Sequence, residues 1–415
     1  MMQFTTKLEK IRREALMAIR PRLETIEEIS TVNTAKTLAA FRKHRVSGHM
    51  FNFSTGYAYD DVGRDTLELV WADICGAEKA LFRTQFCSGT HALASVLFGV
   101  LRPGDELISA AGAPYDTMQS VIGANRITPG SLRDWGISYR EIPLLDESVD
   151  EESLIASITE QTKMVLIQRS RGYSLRAPLM LADIERLCSR IKAVKPDCIC
   201  FVDNCYGEFV ETKEPTQVGA DIMAGSLIKN PGGGIAPTGG YVAGRAHLVE
   251  LASYRLTAPG IGSEVGSSLG ASRLLYQGLF MAPHVVAQAV KGAVFAAKFF
   301  ALLGYETSPQ VDEARTDIIQ AIKLNTPDNM VAFCRGLQKH SPVDSHVRPV
   351  PSGMPGYDDA VVMAGGTFVQ GSSIEMSADG PLRPPYAVYL QGALSFEHAV
   401  LGVLGAASEL PGIED

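Results

Sequence analysis

The sequence lacks several features that would assign it to a large class of proteins. Its 415 residues contain no stretch of about 18 uncharged apolar residues, and its N-terminus is charged throughout instead of carrying the apolar core of a signal peptide. Basic residues are not in excess, since 38 Lys and Arg stand against 46 Asp and Glu, a net charge of −8. These absences argue against a membrane and against nucleic acid as partners. We therefore expect a cytoplasmic protein.

Several common motifs are missing as well. The seven cysteines are an odd number spread over a long chain and do not form a disulfide framework. Cys198 and Cys200 lie in an apolar run, where a strand would point both thiols to one buried face. Acidic residues occur only in short, dispersed groups, so we predict no metal site. The absence of a GxGxxG fingerprint argues against a dinucleotide-binding Rossmann protein, and no Walker motif is present.

The order of β-rich and helical runs predicts an α/β fold. Residues 1–58 read as a helical arm with apolar positions at helical spacing, and residues 59–282 alternate between strand and helix patterns. Such alternation predicts a mostly parallel sheet flanked by helices. Residues 283–415 read as a linking helix followed by a small C-terminal α+β domain. The expected strands of the large domain are KALFRTQ, ELISA, ISYREIP, KMVLIQ, CICFVD and GGYVAGR, and those of the small domain are DAVVMA, SSIEMS and YAVYLQG.

Three motifs follow expected strands or a short apolar run, and parallel sheets bind their ligands beyond the ends of their strands. Ser88-Gly89-Thr90 opens a helix, so its backbone N–H groups and the helix dipole suit a phosphate. Asp203 ends an apolar strand, where a carboxylate is costly without a cation or donor. Lys229 lies between an apolar run and a glycine cluster that permits close backbone approach. Each also has a plainer interpretation, as an ordinary helix N-cap, another helix cap and a surface turn.

Together the three motifs match the needs of pyridoxal phosphate: an anion site, a partner for the pyridinium nitrogen and an amine for the aldehyde. The runs FVDNCYGEF and GSLIKNPGGGIAPTGGYVAG, with YAYDDVGRDTLELVWADICGAEKALFRTQFCSGTHAL, resemble the fold-type I pyridoxal-phosphate enzymes of cysteine and methionine metabolism. The resemblance is to the aluminium-resistance or methionine gamma-lyase-like branch, related to cystathionine beta-lyase. It implies the aspartate aminotransferase-like fold.

The resemblance also implies roles for individual residues. Lys229 would be the Schiff-base lysine and proton shuttle, Asp203 the pyridinium partner, and Tyr115 the aromatic residue that stacks on the cofactor and helps to expel the leaving group. The residues implied in phosphate binding are Ser88, Gly89, Thr90, Ser226 and Tyr59, the last from a neighbouring subunit.

Because the sequence departs from the family pattern at several positions, the resemblance does not assign a single role to each arginine. Asp61 stands where better-known members have an arginine, so Arg64 is the alternative phosphate ligand. Arg171, in the segment QRSRGY, is a candidate for a substrate carboxylate or phosphate, or a solvated turn residue. Arg383 resembles the C-terminal arginine that holds the substrate α-carboxylate in a bidentate fork.

The implied reaction is β- or γ-elimination from a sulfur amino acid such as cystathionine, cysteine or methionine, giving a thiol, ammonia and a 2-oxo acid. Transamination and retro-aldol cleavage remain open, because a shared fold and lysine do not fix the reaction. A stress or metal-resistance protein that keeps the cofactor site without activity is a further alternative. The family builds its active sites at subunit interfaces, so we expect a homodimer or homotetramer.

Overall fold

A seven-stranded sheet forms the centre of the larger part of the molecule. The structure is a computed structural model that describes residues 4–57, 61–354 and 359–413. The strands of all the sheets in the described part of the chain are β1 Lys79–Arg83, β2 Glu106–Ser109, β3 Ser138–Glu141, β4 Leu144–Leu145, β5 Ser148–Val149, β6 Thr162–Gln168, β7 Ile199–Asp203, β8 Ile222–Ser226, β9 Gly240–Gly244, β10 Thr307–Ser308, β11 Ile319–Lys323, β12 Val361–Ala364, β13 Ser377–Pro381 and β14 Ala387–Gln391. The central order is β1-β9-β8-β7-β6-β2-β3. In this sheet β9 runs in the direction opposite to the other six strands.

Helices cover both faces of this sheet. They are α1 Thr6–Lys43, α2 Val62–Cys75, α3 Gly89–Val100, α4 Asp116–Ile122, α5 Glu151–Ala156, α6 Leu181–Val194, α7 Ala246–Leu256, α8 Ser272–Leu302, α9 Pro327–Lys339 and α10 Phe396–Ser408, with short 3-10 turns at Gly48–Phe51, Pro215–Val218, Asn230–Gly232 and Gly262–Glu264. Alternate strand residues enter two separate cores. In β7, Cys200 and Val202 pack into one core, and Ile199 and Phe201 into the other. This two-sided burial explains why the parallel strands are apolar throughout.

The N-terminal helix α1 packs against α8 of the same chain. Lys291 forms an ion pair with Glu27 at 2.6 Å, and Asn33 donates to the carbonyl oxygens of Phe209 and Glu211. The apolar residues Leu8, Ala15, Ile19 and Ile26 of α1 are buried within the chain, whereas Met17, Val32 and Leu38 are exposed.

Helix α8 joins the two sheets and begins earlier than its sequence pattern indicates. The linking helix was expected from residue 283, whereas the helix begins at Ser272 and runs through Pro283. By length and composition α8 could cross a membrane, but 78% of its most apolar window is buried inside the protein. Such burial is typical of a core helix, and α8 packs against β10, β11 and β14 of the small sheet and against the turn Asn230–Gly232.

The C-terminal part contains a five-stranded antiparallel sheet in the order β10-β11-β14-β13-β12. Strands β12 and β14 lie where DAVVMA and YAVYLQG predicted them, and α9 and α10 cover the sheet. The strand expected at SSIEMS is displaced, since β13 begins only at Ser377 and includes the sequence SADGP. Its small and polar residues do not show the apolar alternation that identifies a strand in sequence.

Candidate active site

A cavity of about 200 Å³ lies beyond the carboxyl ends of the central strands. Strands β6, β7 and β8 end at its wall with Gln168, Asp203 and Ser226, and the first turn of α3 closes one side. Residues of the small sheet close the opposite side. The cavity therefore occupies the edge of the parallel sheet at which ligands are expected.

The N-terminus of α3 provides one end of this cavity. Ser88 is the N-cap, and its Oγ accepts the N–H of His91 at 3.1 Å. A Cβ atom on Gly89 would lie 3.0 Å from Cβ of Ser226, so glycine lets the helix start approach β8 closely. The first N–H groups of a helix have no acceptor within it, and with the helix dipole they favour an anion. Ser88 thus serves as the helix cap and also lines the predicted phosphate site, together with Thr90 and Ser226.

Asp203 ends β7 and is buried at the cavity wall. Its Oδ1 accepts the backbone N–H of Cys205 at 3.1 Å. Burial raises the pKa of Asp203 above its usual range, and the nearby Lys229 opposes this shift. The alternative role as a helix cap is not observed, because the segment after Asp203 turns through positive φ angles at Tyr206 and Phe209. A buried carboxylate here gains from a cationic or hydrogen-bond donating ligand.

Lys229 projects into the same cavity, with its Nζ 3.7 Å from the centre of the Tyr206 ring. Burial lowers the pKa of Lys229, but the side chains of Cys205, Tyr206 and Asp203 raise it by more, so its pKa lies above the ordinary value. The lysine is therefore half-buried in a cavity that it shares with Asp203 and Tyr206, and it is not a surface turn residue.

The glycines after Lys229 allow close packing of the protein backbone against itself, and not the close approach of a ligand. A Cβ on Gly232 would lie 1.8 Å from the carbonyl oxygen of Leu227, and one on Gly233 would lie 2.4 Å from that of Gly278 in α8. The backbone segments that lie close to this turn are therefore those of Leu227 and Gly278. Gly233 also has a φ of +55°, which favours glycine.

Tyr115 precedes α4 and lines the cavity, and its stacking on the cofactor stays a prediction. Its backbone N–H donates to Oε1 of Gln168 at 2.7 Å, which ties this loop to the end of β6. The rings of Tyr115 and Tyr173 lie 5.9 Å apart at an interplanar angle of 52°. An aromatic wall therefore covers one side of the cavity.

The predicted arginines do not line this cavity. Arg64 pairs with Asp65 at 2.8 Å and lines a separate cavity. Arg171 is buried and donates to Ser308 Oγ at 3.0 Å, and burial lowers its pKa. Arg383 pairs with Asp359 at 3.0 Å and is half-exposed.

Arg171 and Arg383 nevertheless lie close to the site. Both line an adjoining cavity of about 260 Å³, whose wall includes Tyr115 and Tyr173. Carboxylate binding by these two arginines stays a prediction. Tyr59, predicted to reach a neighbouring subunit, lies outside the described residues.

Several cavity residues were missed by sequence reasoning. Cys205 and Tyr206 follow Asp203 directly, so their position after the strand was an available signal. Asp379, Tyr389 and Gln391 come from β13 and β14 of the small domain, far away in sequence. No local pattern marks these three, because only the docking of the small sheet brings them to the cavity.

Comparison with known proteins shows the family to which the chain belongs. The family model described as methionine gamma-lyase matches residues 8–411. The uncharacterized protein YnbB of Bacillus subtilis is 51% identical over 387 residues, which is 93% of this chain and 92% of that protein. A solved structure described as a carbon-sulfur lyase involved in aluminium resistance, from Clostridium novyi, is 47% identical, covers 98% of this chain and 96% of its own, and has a TM-score of 0.93.

More distant solved structures confirm the fold. The pyridoxal-5'-phosphate dependent protein YhfS of Escherichia coli has a TM-score of 0.60 at 17% identity, covering 91% of this chain and 95% of its own. The predicted fold-type I architecture, a mostly parallel sheet with helices and a small C-terminal domain, is therefore correct. The chain belongs to the methionine gamma-lyase family of pyridoxal-phosphate-dependent enzymes.

Proposed function

We propose that the protein is a pyridoxal-phosphate-dependent carbon–sulfur lyase, which cleaves a sulfur amino acid by β- or γ-elimination into a thiol, ammonia and a 2-oxo acid. The observation that carries this proposal is the meeting of three groups in one cavity: Lys229, Asp203 and the N-terminus of α3. Family membership supports lyase chemistry in general, and the named activity of the Clostridium novyi relative supports cleavage of a carbon–sulfur bond.

The residues fit the cofactor at each of its functional groups. The first turn of α3 and Ser226 would hold the phosphate, and the close approach at Gly89 lets the backbone N–H groups face the cavity. Asp203 would pair with the protonated ring nitrogen, which would give its buried carboxylate the cationic partner it needs. Lys229 would bind the aldehyde, with Tyr115 beside the ring.

The cofactor, when bound, supplies an electron-withdrawing ring that stabilises negative charge at the substrate α-carbon. The protein contributes the placement of protons. Nζ of Lys229 would take the α-proton of the substrate once the amine is neutral. The carboxylate of Asp203 would keep the ring nitrogen protonated. Tyr115 lines the same cavity and is the candidate donor of a proton to the departing sulfur.

The surrounding aromatic residues would restrict water at the reacting atoms. Tyr173, Tyr206 and Tyr389 line the cavity with Tyr115. The rings of Tyr173 and Tyr389 lie 5.3 Å apart, so the large and small domains meet through these side chains. Exclusion of water from such a site strengthens electrostatic interactions and protects reactive species.

Product analysis tests the proposal. Purified protein carrying the cofactor, identified by its visible absorbance, is incubated with cystathionine, cysteine, methionine and threonine. Equal amounts of thiol (or sulfide, from cysteine) and 2-oxo acid from a sulfur amino acid would support elimination. A 2-oxo acid formed only with an added amino acceptor would indicate transamination, and an aldehyde from threonine would indicate retro-aldol cleavage. Either of these results without thiol or sulfide would overturn the lyase assignment.

A further inference from the structure

A cavity larger than the central one lies between Lys229 and the small domain. This outer chamber has a volume of about 420 Å³, and residues that line it include Tyr173, Lys229, Asp344, Ser377, Asp379 and Gln391. It shares Lys229, Tyr173, Asp379 and Gln391 with the central cavity. The outer chamber is therefore the space into which the distal part of a substrate would extend once its α-carbon lies beside Lys229.

The charges of the outer chamber are unbalanced. Among the described residues that line it, Lys229 is the only basic side chain, whereas Asp344 and Asp379 are both acidic. Binding of the aldehyde would engage Lys229, so two carboxylates would face the distal part of the substrate. Such a chamber attracts a cation and repels a carboxylate.

Asp379 is the carboxylate that is equipped to bind a ligand. Asp379 is 9% exposed, and its Oδ1 has no hydrogen-bond partner within the described part of the chain. Oδ2 is 3.4 Å from Nε2 of Gln391, a long contact, and Tyr173 also interacts with the carboxyl group. Asp379 pairs in register with Tyr389, so both side chains lie on the sheet face that meets the cavity.

Burial of Asp379 makes it energetically unfavourable for Oδ1 to stay without a hydrogen-bond partner when no ligand is bound. Burial raises the pKa of Asp379 to about 6, although Tyr173, Lys229 and Gln391 partly offset the shift. A buried carboxylate oxygen without a partner loses its hydration and gains nothing in return. An ammonium group would restore both a hydrogen bond and an opposite charge.

We propose that Asp379 binds an ammonium group carried by the sulfur substituent of the substrate. This inference rests on the proposed lyase function and names its substrate class: cysteine or homocysteine derivatives whose sulfur bears an aminoalkyl chain. In cystathionine the substituent carries an ammonium and a carboxylate together. Its ammonium gains the contact with Asp379, while its carboxylate enters a chamber with no described cation other than Lys229.

Binding of sulfur-free amino acids tests the charge preference without any cleavage. Calorimetry on the cofactor-loaded protein compares L-lysine, L-norleucine and L-2-aminoadipate, whose side chains are of similar length and end in an ammonium, a methyl and a carboxylate. We expect L-lysine to bind at least about tenfold more tightly than L-norleucine, since a charged hydrogen bond is worth roughly 1.5–3 kcal/mol. We expect L-2-aminoadipate to bind more weakly than L-norleucine. Equal affinities for L-lysine and L-norleucine would overturn the proposal.

Two matched substitutions locate the preference. Asp379→Asn keeps the shape of the side chain and removes its charge, so the advantage of L-lysine should disappear while L-norleucine binds as before. Asp344→Asn removes a charge from an exposed residue of the same chamber, where water screens it, and should leave most of the advantage. An advantage that survives in Asp379→Asn contradicts the assignment. If Asp379→Asn does not fold, the three-ligand comparison on the unchanged protein still decides the charge preference.

Thiol release separates this inference from the proposed function. S-(2-aminoethyl)-L-cysteine and S-propyl-L-cysteine differ mainly in the terminal ammonium, and the first should have the higher kcat/KM. Thiol release from both at equal kcat/KM would support the lyase and contradict the role of Asp379. Absence of thiol from both, with a clear preference for L-lysine, would contradict the lyase and retain the ammonium site.

Discussion

Nζ of Lys229 lies 3.7 Å from the centre of the Tyr206 ring, a distance at which the aromatic face attracts an ammonium group. Tyr206 reaches this position with a φ of 73°, in the left-handed region that a bulky residue seldom adopts. It stands three residues after Asp203, so one turn delivers both the carboxylate and the aromatic face to the cavity. Uncommon backbone conformations concentrate at functional sites, which agrees with the place of this turn in the molecule.

Replacement of Lys229 tests its role as the cofactor anchor. We expect Lys229→Ala to lose the visible absorbance of the lysine-bound cofactor and to release thiol at least about a thousandfold more slowly, because it lacks both the anchor and the proton carrier. Spectra and thiol assays of the purified protein measure the two effects. Lys339→Ala, which removes an exposed lysine on α9, serves as the control and should match the unchanged protein. A Lys229→Ala protein that keeps the lysine-bound chromophore would contradict the assignment.

Tyr206 should control how readily Lys229 becomes a neutral amine. The hydroxyl of Tyr206 contributes to the raised pKa of Lys229, and the ring faces the ammonium group, so Tyr206→Leu should lower that pKa. A cation–π contact is worth roughly 0.5–2 kcal/mol, which corresponds to a rate of cofactor capture about two- to thirtyfold higher at a fixed neutral pH. Stopped-flow absorbance of cofactor-free protein mixed with pyridoxal phosphate measures this rate.

Tyr206→Phe provides the matched variant for that experiment. It retains the ring under the ammonium and loses only the hydroxyl group, so its capture rate should lie between those of the unchanged protein and Tyr206→Leu. All three residues carry a Cβ atom and bear similar strain at positive φ. A Tyr206→Leu protein with an unchanged rate at every pH would show that the ring does not affect the amine.

The central sheet was predictable because its strands are apolar and its motifs follow strand ends. Lys229 and Asp203 stood out as charged residues where burial makes charge expensive. Strand β8, with the sequence IMAGS, was not identified, since its Gly and Ser weaken the strand signal. Asp379 could not be predicted either, because its role depends on the packing of the small sheet against the large one.

The turn after Lys229 should tolerate no side chain at Gly232. A Cβ there would lie 1.8 Å from the carbonyl oxygen of Leu227, and the turn also packs closely against α8. We expect Gly232→Ala to lower the free energy of unfolding by about 2–4 kcal/mol, as overpacking of a rigid core does. Thermal and urea denaturation measure the loss. Gly48→Ala, where a Cβ would meet nothing within 4 Å, should change stability little, and equal effects of the two substitutions would contradict the steric argument.

Glu208 should make the protein less stable as the pH rises. The residue is fully buried, its Oε1 accepts the hydroxyl of Tyr241 at 2.6 Å, and its Oε2 has no hydrogen-bond partner in the described part of the chain. Burial raises the pKa of Glu208 from 4.5 to about 8, although the Tyr241 hydroxyl opposes the shift. Between pH 4.5 and about pH 8 the folded protein therefore keeps the carboxyl group of Glu208 protonated, whereas the unfolded chain has released that proton. The stability contribution of Glu208 is complete below pH 4.5 and is lost as the pH rises toward 8.

A comparison of Glu208→Gln with the unchanged protein isolates this titration, because the other ionisable groups cancel in the difference. The unfolding free energy of the unchanged protein, relative to that of Glu208→Gln, should fall by several kcal/mol between pH 4.5 and 8 and level off above pH 8. Urea denaturation at a series of pH values measures it. Glu160→Gln removes a carboxylate that is 96% exposed and should give a nearly flat difference. A flat difference for Glu208→Gln would mean that the buried carboxyl group ionises as readily in the folded protein as in the unfolded chain.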